Sequence, residues 1–469
     1  VNQVRVVIIG AGVSGLAAAM RLGELAQKNN TALELNILDE GKNPGGTVST
    51  VVENDFLLEE GPDCFLTEKP AGMAMVKQLG LDSQLMGTNP NLSQSFILKG
   101  NRLCPIPEGF YMMAPSRLMP LMTTPLLSPL GKLRAAMEPF IPVRRDVQDE
   151  SVGDFVTRRL GREVLDHLAQ PLVGGVYNAD PFELSLNAST PHFKEMELKH
   201  GSLLKAMAHR RMSSQKKVSG ARYSLFATFP KGMQTLVDAM ASKIPMESLW
   251  LQNGVQSLRT SDKGTWEISA NDRSIEADAV LLAIQPSKML PLIGHLDNEW
   301  QKLLSGIPAH DSATLNLGFR REDITHLLNG FGFVVPSIEK KLIVGCSFSS
   351  RKFEGRAPDG YVLLRVFLGA EAVSLAKKGE ESLLNKVLEE LTPVLGIRNR
   401  PVMNHLSLYN SSMTYYRPGH LSQVARLLQK AEETKGLYLA GNGIKGSGIP
   451  DAIAAGQTAA EKIFQTLEH

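Results

Sequence analysis

The segment Gly10-Ala-Gly-Val-Ser-Gly15 stands between an apolar run, Val4–Ile9, and an alanine-rich run over residues 16–25. That placement constrains the chain more than any other feature. A glycine-rich turn leading from a buried strand into a helix is the phosphate-binding corner of a βαβ unit. Val-Arg-Val-Val-Ile-Ile reads as the strand, and the helix carries apolar Leu16, Ala19, Met20 and Leu22. Gly10 permits the tight turn, Gly12 lets the backbone approach a pyrophosphate, and Gly15 allows close helix–strand packing. At Val13 and Ser14 the helix opens, and its N–H groups and dipole favour diphosphate charge. Leu33–Leu38 reads as the second strand. Asp39-Glu40 at its end can accept a ribose hydroxyl and disfavours the extra phosphate of NADP. An empty βαβ unit is the alternative.

A length of 469 residues predicts two or three domains, and 43% hydrophobic content suits globular cores. With 50 basic against 48 acidic residues, scattered rather than striped, nothing points to nucleic acid. Cys64, Cys104 and Cys346 form no CxxC, which supports core thiols in a reducing, cytoplasmic setting over a disulfide framework or a metal site. No signal-peptide pattern precedes the first strand. Residues 109–137 are apolar and methionine-rich. Pro115, Pro120, Pro125 and Pro129 interrupt them, and Arg117, Lys132 and Arg134 charge them, so no span of about 20 apolar residues exists there. A helical wall round a greasy channel is the favoured reading, and a peripheral membrane contact is the alternative.

Residues 100–217 read as helical and proline-punctuated, with amphipathic pieces at Val152–Leu160 and 163–172. The basic stretch 210–222 reads as a solvated loop or, alternatively, an anion-guiding rim. Strand alternation returns at Trp266–Ala270 and 274–284, then at 313–319, 331–335, 342–348 and Tyr361–Leu368, with helix near Glu380–Leu395. Near the far end, residues 437–440 form a short strand. Gly441-Asn-Gly443 and Gly446-Ser-Gly448 follow it, then a helix over 449–464 with Pro450 and Asp451 in its first turn. This second glycine-rich turn suggests that the chain returns to the same cofactor. For a flavin, the helix N-terminus would face the N1–C2=O edge, where negative charge appears on reduction. A glycine-capped packing helix is the alternative.

Gly10–Gly15, Asp39, the doublet Gly45-Gly46 and residues 441–456 resemble the FAD-binding elements of the amine oxidase–like flavoprotein superfamily. Within it, Glu60-Gly-Pro-Asp-Cys-Phe65, Gln170-Pro-Leu-Val-Gly-Gly-Val-Tyr-Asn-Ala-Asp180, Phe229-Pro-Lys-Gly-Met-Gln-Thr-Leu236 and Gly446-Ser-Gly-Ile-Pro-Asp451 resemble porphyrinogen oxidases, the oxygen-dependent enzymes of haem synthesis. The likeness runs along essentially the whole chain. Its most specific element is Pro171–Tyr177, which amine oxidases and carotenoid desaturases lack.

The resemblance implies an α/β fold. A discontinuous Rossmann-like FAD domain covers 1–75, 222–290 and 418–469, a mixed-sheet substrate domain 76–99 and 291–417, and an inserted helical domain 100–221. It implies non-covalent FAD held by Gly10, Gly12, Val13, Ser14, Gly15, Asp39, Glu40, Gly45, Gly46, Thr47, Gly61, Pro62, Val255, Gly441, Asn442, Gly448, Ile449 and Pro450. Asn43 and Thr47 stand where relatives carry arginines, so phosphate contacts fall to backbone N–H groups. Around the substrate it implies Gly175, Ala179 in place of a glycine, a stacking Phe367, wall residues Val335 and Ser347, and Lys69 for a carboxylate. His405 and His420 read as structural histidines in a strand-like region, and Tyr416 matches a family aromatic. The implied chemistry removes six hydrogens from a porphyrinogen in three two-electron steps, with O2 reduced to hydrogen peroxide, and no general base stands out. A handover of product to a downstream haem-synthesis enzyme would follow. The arginine that holds a propionate in mitochondrial and plastid enzymes is absent near Gln94-Ser95. The text there resembles the Gram-positive branch, whose substrate is coproporphyrinogen III. Protoporphyrinogen IX is the alternative substrate, and an amine oxidase, a desaturase or a non-catalytic flavin-binding scaffold is the more distant alternative.

Overall fold

The computed structural model describes residues 3–92, 94–146, 148–177, 179–214, 225–271, 273–444 and 446–467. Five parallel strands lie in the order Leu249–Trp250, Leu33–Leu38, Val4–Ile9, Ala279–Leu282, Leu437–Leu439. Val6 sits opposite Leu35 on one side and Ala279 on the other, and Val280 opposite Leu437. Because side chains alternate along a strand, Val6 and Ile8 pack under helices Val13–Asn29 and Ile449–Leu467, while Val7 and Ile9 pack against a second layer. That layer is a three-stranded antiparallel sheet of Val255–Thr260, Trp266–Ala270 and Arg273–Ala277. Burial on both faces explains why Val6–Ile9, the buried part of the first strand, is apolar at every position.

Residues 274–284 do not form one strand. Arg273–Ala277 belongs to the antiparallel layer and Ala279–Leu282 to the parallel sheet. The chain changes layer at Asp278, whose carboxylate accepts the Arg5 N–H at 2.9 Å and its guanidinium at 2.8 Å. Hydrophobic alternation carries no mark of such a switch.

A seven-stranded sheet runs Met403–Thr414, Ala309–Arg320, Tyr361–Leu368, Ile343–Ser347, Gly332–Val334, Phe96–Lys99, Arg102–Pro105. It is mixed: Gly332–Val334 pairs in parallel with Phe96–Lys99, and the other pairings are antiparallel. One face, including Leu315, Leu317, Phe333 and Leu364, forms a core with helices Ala370–Ala376 and Glu380–Leu395. The opposite face carries Thr314, Asn316, Arg365 and Phe367.

Helices Val152–Leu160, Gln170–Tyr177, Pro191–His200 and Leu203–Ser214 share a separate core around Phe155, Val156 and Leu165. The helix expected over 163–172 is broken by a π-turn at Leu165–Ala169. Residues 109–137 turn apolar side chains both inward and outward. Leu121, Leu126 and Ala135 pack inward, but Met119 (72% exposed), Leu130 (78%) and, just beyond, Phe140 (82%) face outward. No helix among the described residues is long and apolar enough to cross a membrane. Of the basic stretch 210–222, residues 215–222 lie outside the described residues.

Candidate functional site

Two glycine turns meet at the C-terminal ends of the parallel strands, where open α/β sheets bind ligands. Gly10 turns at φ 110°, and a Cβ there would lie 2.7 Å from Ala283 O. A Cβ on Gly15 would fall on Gly10 O, so this glycine is required for the packing of turn on helix. Gly12 differs: a Cβ there would meet nothing within 4 Å, and one on Gly46 only the Gly12 Cα at 3.4 Å. Gly12 and Gly45 form a parallel bridge, with the Gly45 N–H on Ala11 O at 2.9 Å. The open surface over Gly12 and Gly46, beside the unspent N–H groups of the first helical turn, fits a diphosphate.

Val13 and Ser14 are buried, and Ser14 Oγ donates to Ala452 O at 2.9 Å, so only their backbones face that surface. Asp39 holds the turn itself: its two oxygens accept the N–H groups of Ala11 and Gly41, each at 2.7 Å. Each oxygen keeps a second lone pair for a hydroxyl. Glu40 points to solvent in an ion pair with Lys288, away from the role proposed for it from sequence. Val255 opens its strand beside Asn253, whose N–H donates to Asp39 O at 2.8 Å. At the second turn, Gly441 takes φ 120°, Asn442 O accepts the Tyr416 hydroxyl at 2.5 Å, and Gly448 precedes buried Ile449 and Pro450. Thr47 is exposed, and a Cβ on Gly61 would fall on Thr47 O, so these two backbones touch.

The polar face of the seven-stranded sheet grips the loop that follows the strand Phe56–Glu59. Thr314 Oγ1 donates to Glu60 O at 2.9 Å and Asn316 Nδ2 to Glu59 O at 3.3 Å. Arg365 donates to Glu60 O at 3.2 Å and also to Gly61 O, with its guanidinium 4.9 Å from the centre of the Phe367 ring. His405 Nε2 lies 2.9 Å from Glu60 Oε1, and Ser49 Oγ donates to Glu60 Oε2 at 2.5 Å. The His405 contact, against the opposing effect of burial, lowers the Glu60 carboxyl to about 2. One turn on, Lys352 pairs with Asp63 at 2.9 Å. Burial would raise the Asp63 carboxyl, but the charges of Lys352 and Arg365 hold it below the carboxylate range. Arg365 Nε and Asn316 Oδ1 are buried with no partner among the described residues.

Several of these residues escaped the sequence reading. Their mark is a polar residue set between apolar ones on a strand, as in Thr314-Leu-Asn316 and at Arg365, two positions before Phe367. The same alternation corrects Val335. It belongs to the core on the helix-covered side, whereas Val334 is the residue a Gly175 Cβ would meet, at 3.5 Å. Ser347 lies opposite Arg365 in the register, its hydroxyl on Phe331 O at 3.3 Å. Phe367 is half-buried, whereas its strand neighbours Val362–Val366 and Leu368 are buried. Ala179 packs on the helical core.

Tyr177, at the end of helix Gln170–Tyr177, donates to Ser189 O at 3.0 Å. Burial and then the nearby Asp451 charge push its hydroxyl up to about 12. Asp451 also pairs with Lys69 at 2.5 Å, so the lysine expected to hold a substrate carboxylate already holds a protein one. His405 is a strand residue, as read. His420 instead opens helix His420–Glu433, stacked on Tyr416 at 4.2 Å. Its Nε2 has no partner among the described residues, and burial pushes it down to about 4.

This cradle at the strand ends, with a polar sheet face beside it, is an architecture shared with known proteins. The family model for flavin containing amine oxidoreductases matches residues 13–464, and the chain belongs to that family. It is therefore a flavin-dependent oxidoreductase. It is 32% identical to coproporphyrinogen III oxidase of Bacillus subtilis (strain 168), over 97% of this chain and 96% of that one. It is 30% identical to coproporphyrinogen III oxidase of Staphylococcus aureus, over 98% and 99%. A crystal structure from Exiguobacterium sp. 255-15, provisionally described as a protoporphyrinogen oxidase, superposes with a TM-score of 0.87 at 28% identity, covering 100% of both chains.

Proposed function

We propose that this chain oxidises coproporphyrinogen III to coproporphyrin III, one porphyrinogen and three O2 giving one porphyrin and three hydrogen peroxide. The observation that supports this reading is the approach of Gln170–Tyr177 to Val334, through Gly175, and to Asp451 after the second glycine turn, through Tyr177, with the half-buried Phe367 on the polar face of the mixed sheet. A flat, partly apolar macrocycle needs such a mixture of aromatic, aliphatic and convergent polar groups. FAD, bound without a covalent link, supplies the acceptance of hydrogen from a methylene bridge and its passage to O2. The chain's own residues bind and orient. Backbone at Gly12, Gly46 and the first helical turn holds diphosphate, Phe367 and Val334 set the plane of the macrocycle, and Lys69 takes a propionate. Positioning is the main demand, because the transferred hydrogen must approach to about 3–3.5 Å. Pyrrole protons leave to water, with no side chain assigned as base.

The test is a fluorescence assay of both porphyrinogens in air with peroxide counted. Faster oxidation of coproporphyrinogen III, with one peroxide per two electrons, is expected. The likeness to the Exiguobacterium protein favours protoporphyrinogen IX as the second reading, and equal or better turnover of it would put that reading first. The exposed apolar side chains Met119, Leu130 and Phe140, on a stretch that also carries Arg117 and Lys132, support a peripheral membrane contact. Flotation with anionic vesicles that fails equally for the unsubstituted protein and for Leu130→Ser/Phe140→Ser would remove it. Handover of the porphyrin to a following enzyme is part of the same proposal.

A further inference from the structure

Lys69 and Asp451 come from chain segments 382 residues apart, yet they meet at 2.5 Å where two helix starts converge. Lys69 immediately precedes helix Pro70–Gln78, and Asp451 lies in the first turn of helix Ile449–Leu467. The two helix starts are in contact, since a Cβ on Gly72 would lie 3.0 Å from Pro450 Cγ. Asp451 also accepts the Gly448 N–H at 3.3 Å, and its charge is felt by both Tyr177 and Tyr416. Neither member is sealed from solvent: the side chains are 44% and 23% exposed. Two positive helix ends and an ammonium converge here, with one carboxylate to balance them. A pair this exposed is weak enough to open.

We infer that Asp451 is a specificity-determining residue, a resident carboxylate that a substrate propionate displaces from Lys69. This rests on the substrate reading above and adds what that reading lacks, namely what Lys69 does before substrate arrives. The exchange replaces one carboxylate by another on the same ammonium, so it discriminates against neutral macrocycles. A ligand without a carboxylate leaves the pair closed and gains nothing from the lysine. Asp451, freed on exchange, remains bound to Gly448 N–H and continues to balance the helix start. Its own role is therefore one of positioning, exerted through Lys69.

The test titrates the FAD-loaded protein with coproporphyrin III, and with its neutral tetramethyl ester as control, by quenching of porphyrin fluorescence. Asp451→Asn keeps an acceptor for Gly448 N–H but removes the competing charge. It should tighten coproporphyrin III binding about threefold to fivefold, lower KM for coproporphyrinogen III in the same proportion, and leave kcat within about twofold. The gain should vanish in a Lys69→Gln background and be absent for the ester. Asp451→Ser, which likewise removes the competing charge, carries the same expectation if the asparagine variant loses FAD. Unchanged binding, or equal tightening without Lys69 or for the ester, overturns the exchange while leaving the substrate reading intact. An unsubstituted protein that binds no coproporphyrin III overturns the substrate reading, and the exchange with it.

Discussion

The parallel sheet and the mixed sheet place function in different parts of a strand. In the parallel sheet both faces are core, so only the strand ends are free. The two glycine turns follow Val4–Ile9 and Leu437–Leu439 at those ends. In the seven-stranded sheet one face is spent on helices and the other turns Thr314, Asn316, Arg365 and His405 toward the Glu59–Gly61 backbone and the Glu60 carboxylate. Function at a strand end is written as contiguous text. Function on a face is written one residue in two, on strands that are far apart in sequence.

The sharpest way to break this contrast is to put the same methyl on two glycines of one turn. In Gly15→Ala the new carbon meets the Gly10 carbonyl, backbone that cannot move aside, and a loss of about 3 kcal/mol of stability is expected. In Gly12→Ala the carbon enters open space, so the apoprotein should unfold within about 0.5 kcal/mol of the unsubstituted one. FAD affinity should nevertheless fall more than tenfold. Urea titration of the apoproteins and FAD titration measure both effects. Equal stabilities would mean that Gly15 is not a packing glycine.

On the face of the mixed sheet, Arg365→Met removes the donor to Glu60 O and Gly61 O and the buried charge behind them. Thr314 still holds Glu60 O, but leaving the Gly61 carbonyl unpaired should cost about 1–3 kcal/mol, read as stability of the apoprotein and again as weaker FAD retention. A variant as stable and as well loaded as the parent would show that the loop holds without the sheet.

These contrasts explain what the sequence disclosed. The first turn, the second turn, the strands at Val4–Ile9 and Tyr361–Leu368 and the helix at Glu380–Leu395 were legible, because each is a local pattern with its own periodicity or punctuation. The break at Asp278 was not, since a strand that changes sheet keeps its alternation. The placement of Val335 failed by one residue, the smallest error a period of two turns into the wrong face. Which apolar side chains of residues 109–137 turn outward was not legible, because apolar content says nothing of which side a neighbouring helix covers. The Lys69–Asp451 pair lay beyond any reading of local text, joining segments 382 positions apart.

The offset at the wall can be sharpened by paired substitutions. Val335→Ala should cost about 1.5 kcal/mol of stability with KM unchanged, as expected for a core residue. Val334→Leu should leave stability within about 0.5 kcal/mol and raise KM for the porphyrinogen by about twofold to fivefold, because it narrows the gap to Gly175. The opposite pattern would restore Val335 to the wall.

The smallest effect is in pH, where the two sheets can be compared through His405 and Glu60. Hydrogen bonds to Glu60 and, less, to Glu53 raise His405 above its ordinary 6.5. Its contribution is therefore full below about 6.5 and is lost as pH rises through the raised value. Glu60, lowered from 4.5 to about 2, contributes fully above about 4.5 and loses that contribution as pH falls toward 2. The pair is worth most between those limits. It joins the mixed sheet to the loop. Stability of the unsubstituted protein should therefore fall by about 1 kcal/mol or less between pH 6.5 and pH 8.5, and His405→Gln should flatten that limb. An alkaline slope identical in the two proteins would show that the grip of the sheet on the Glu60 loop owes nothing to the imidazolium, and would leave it to the uncharged donors Thr314 and Asn316 together with Arg365.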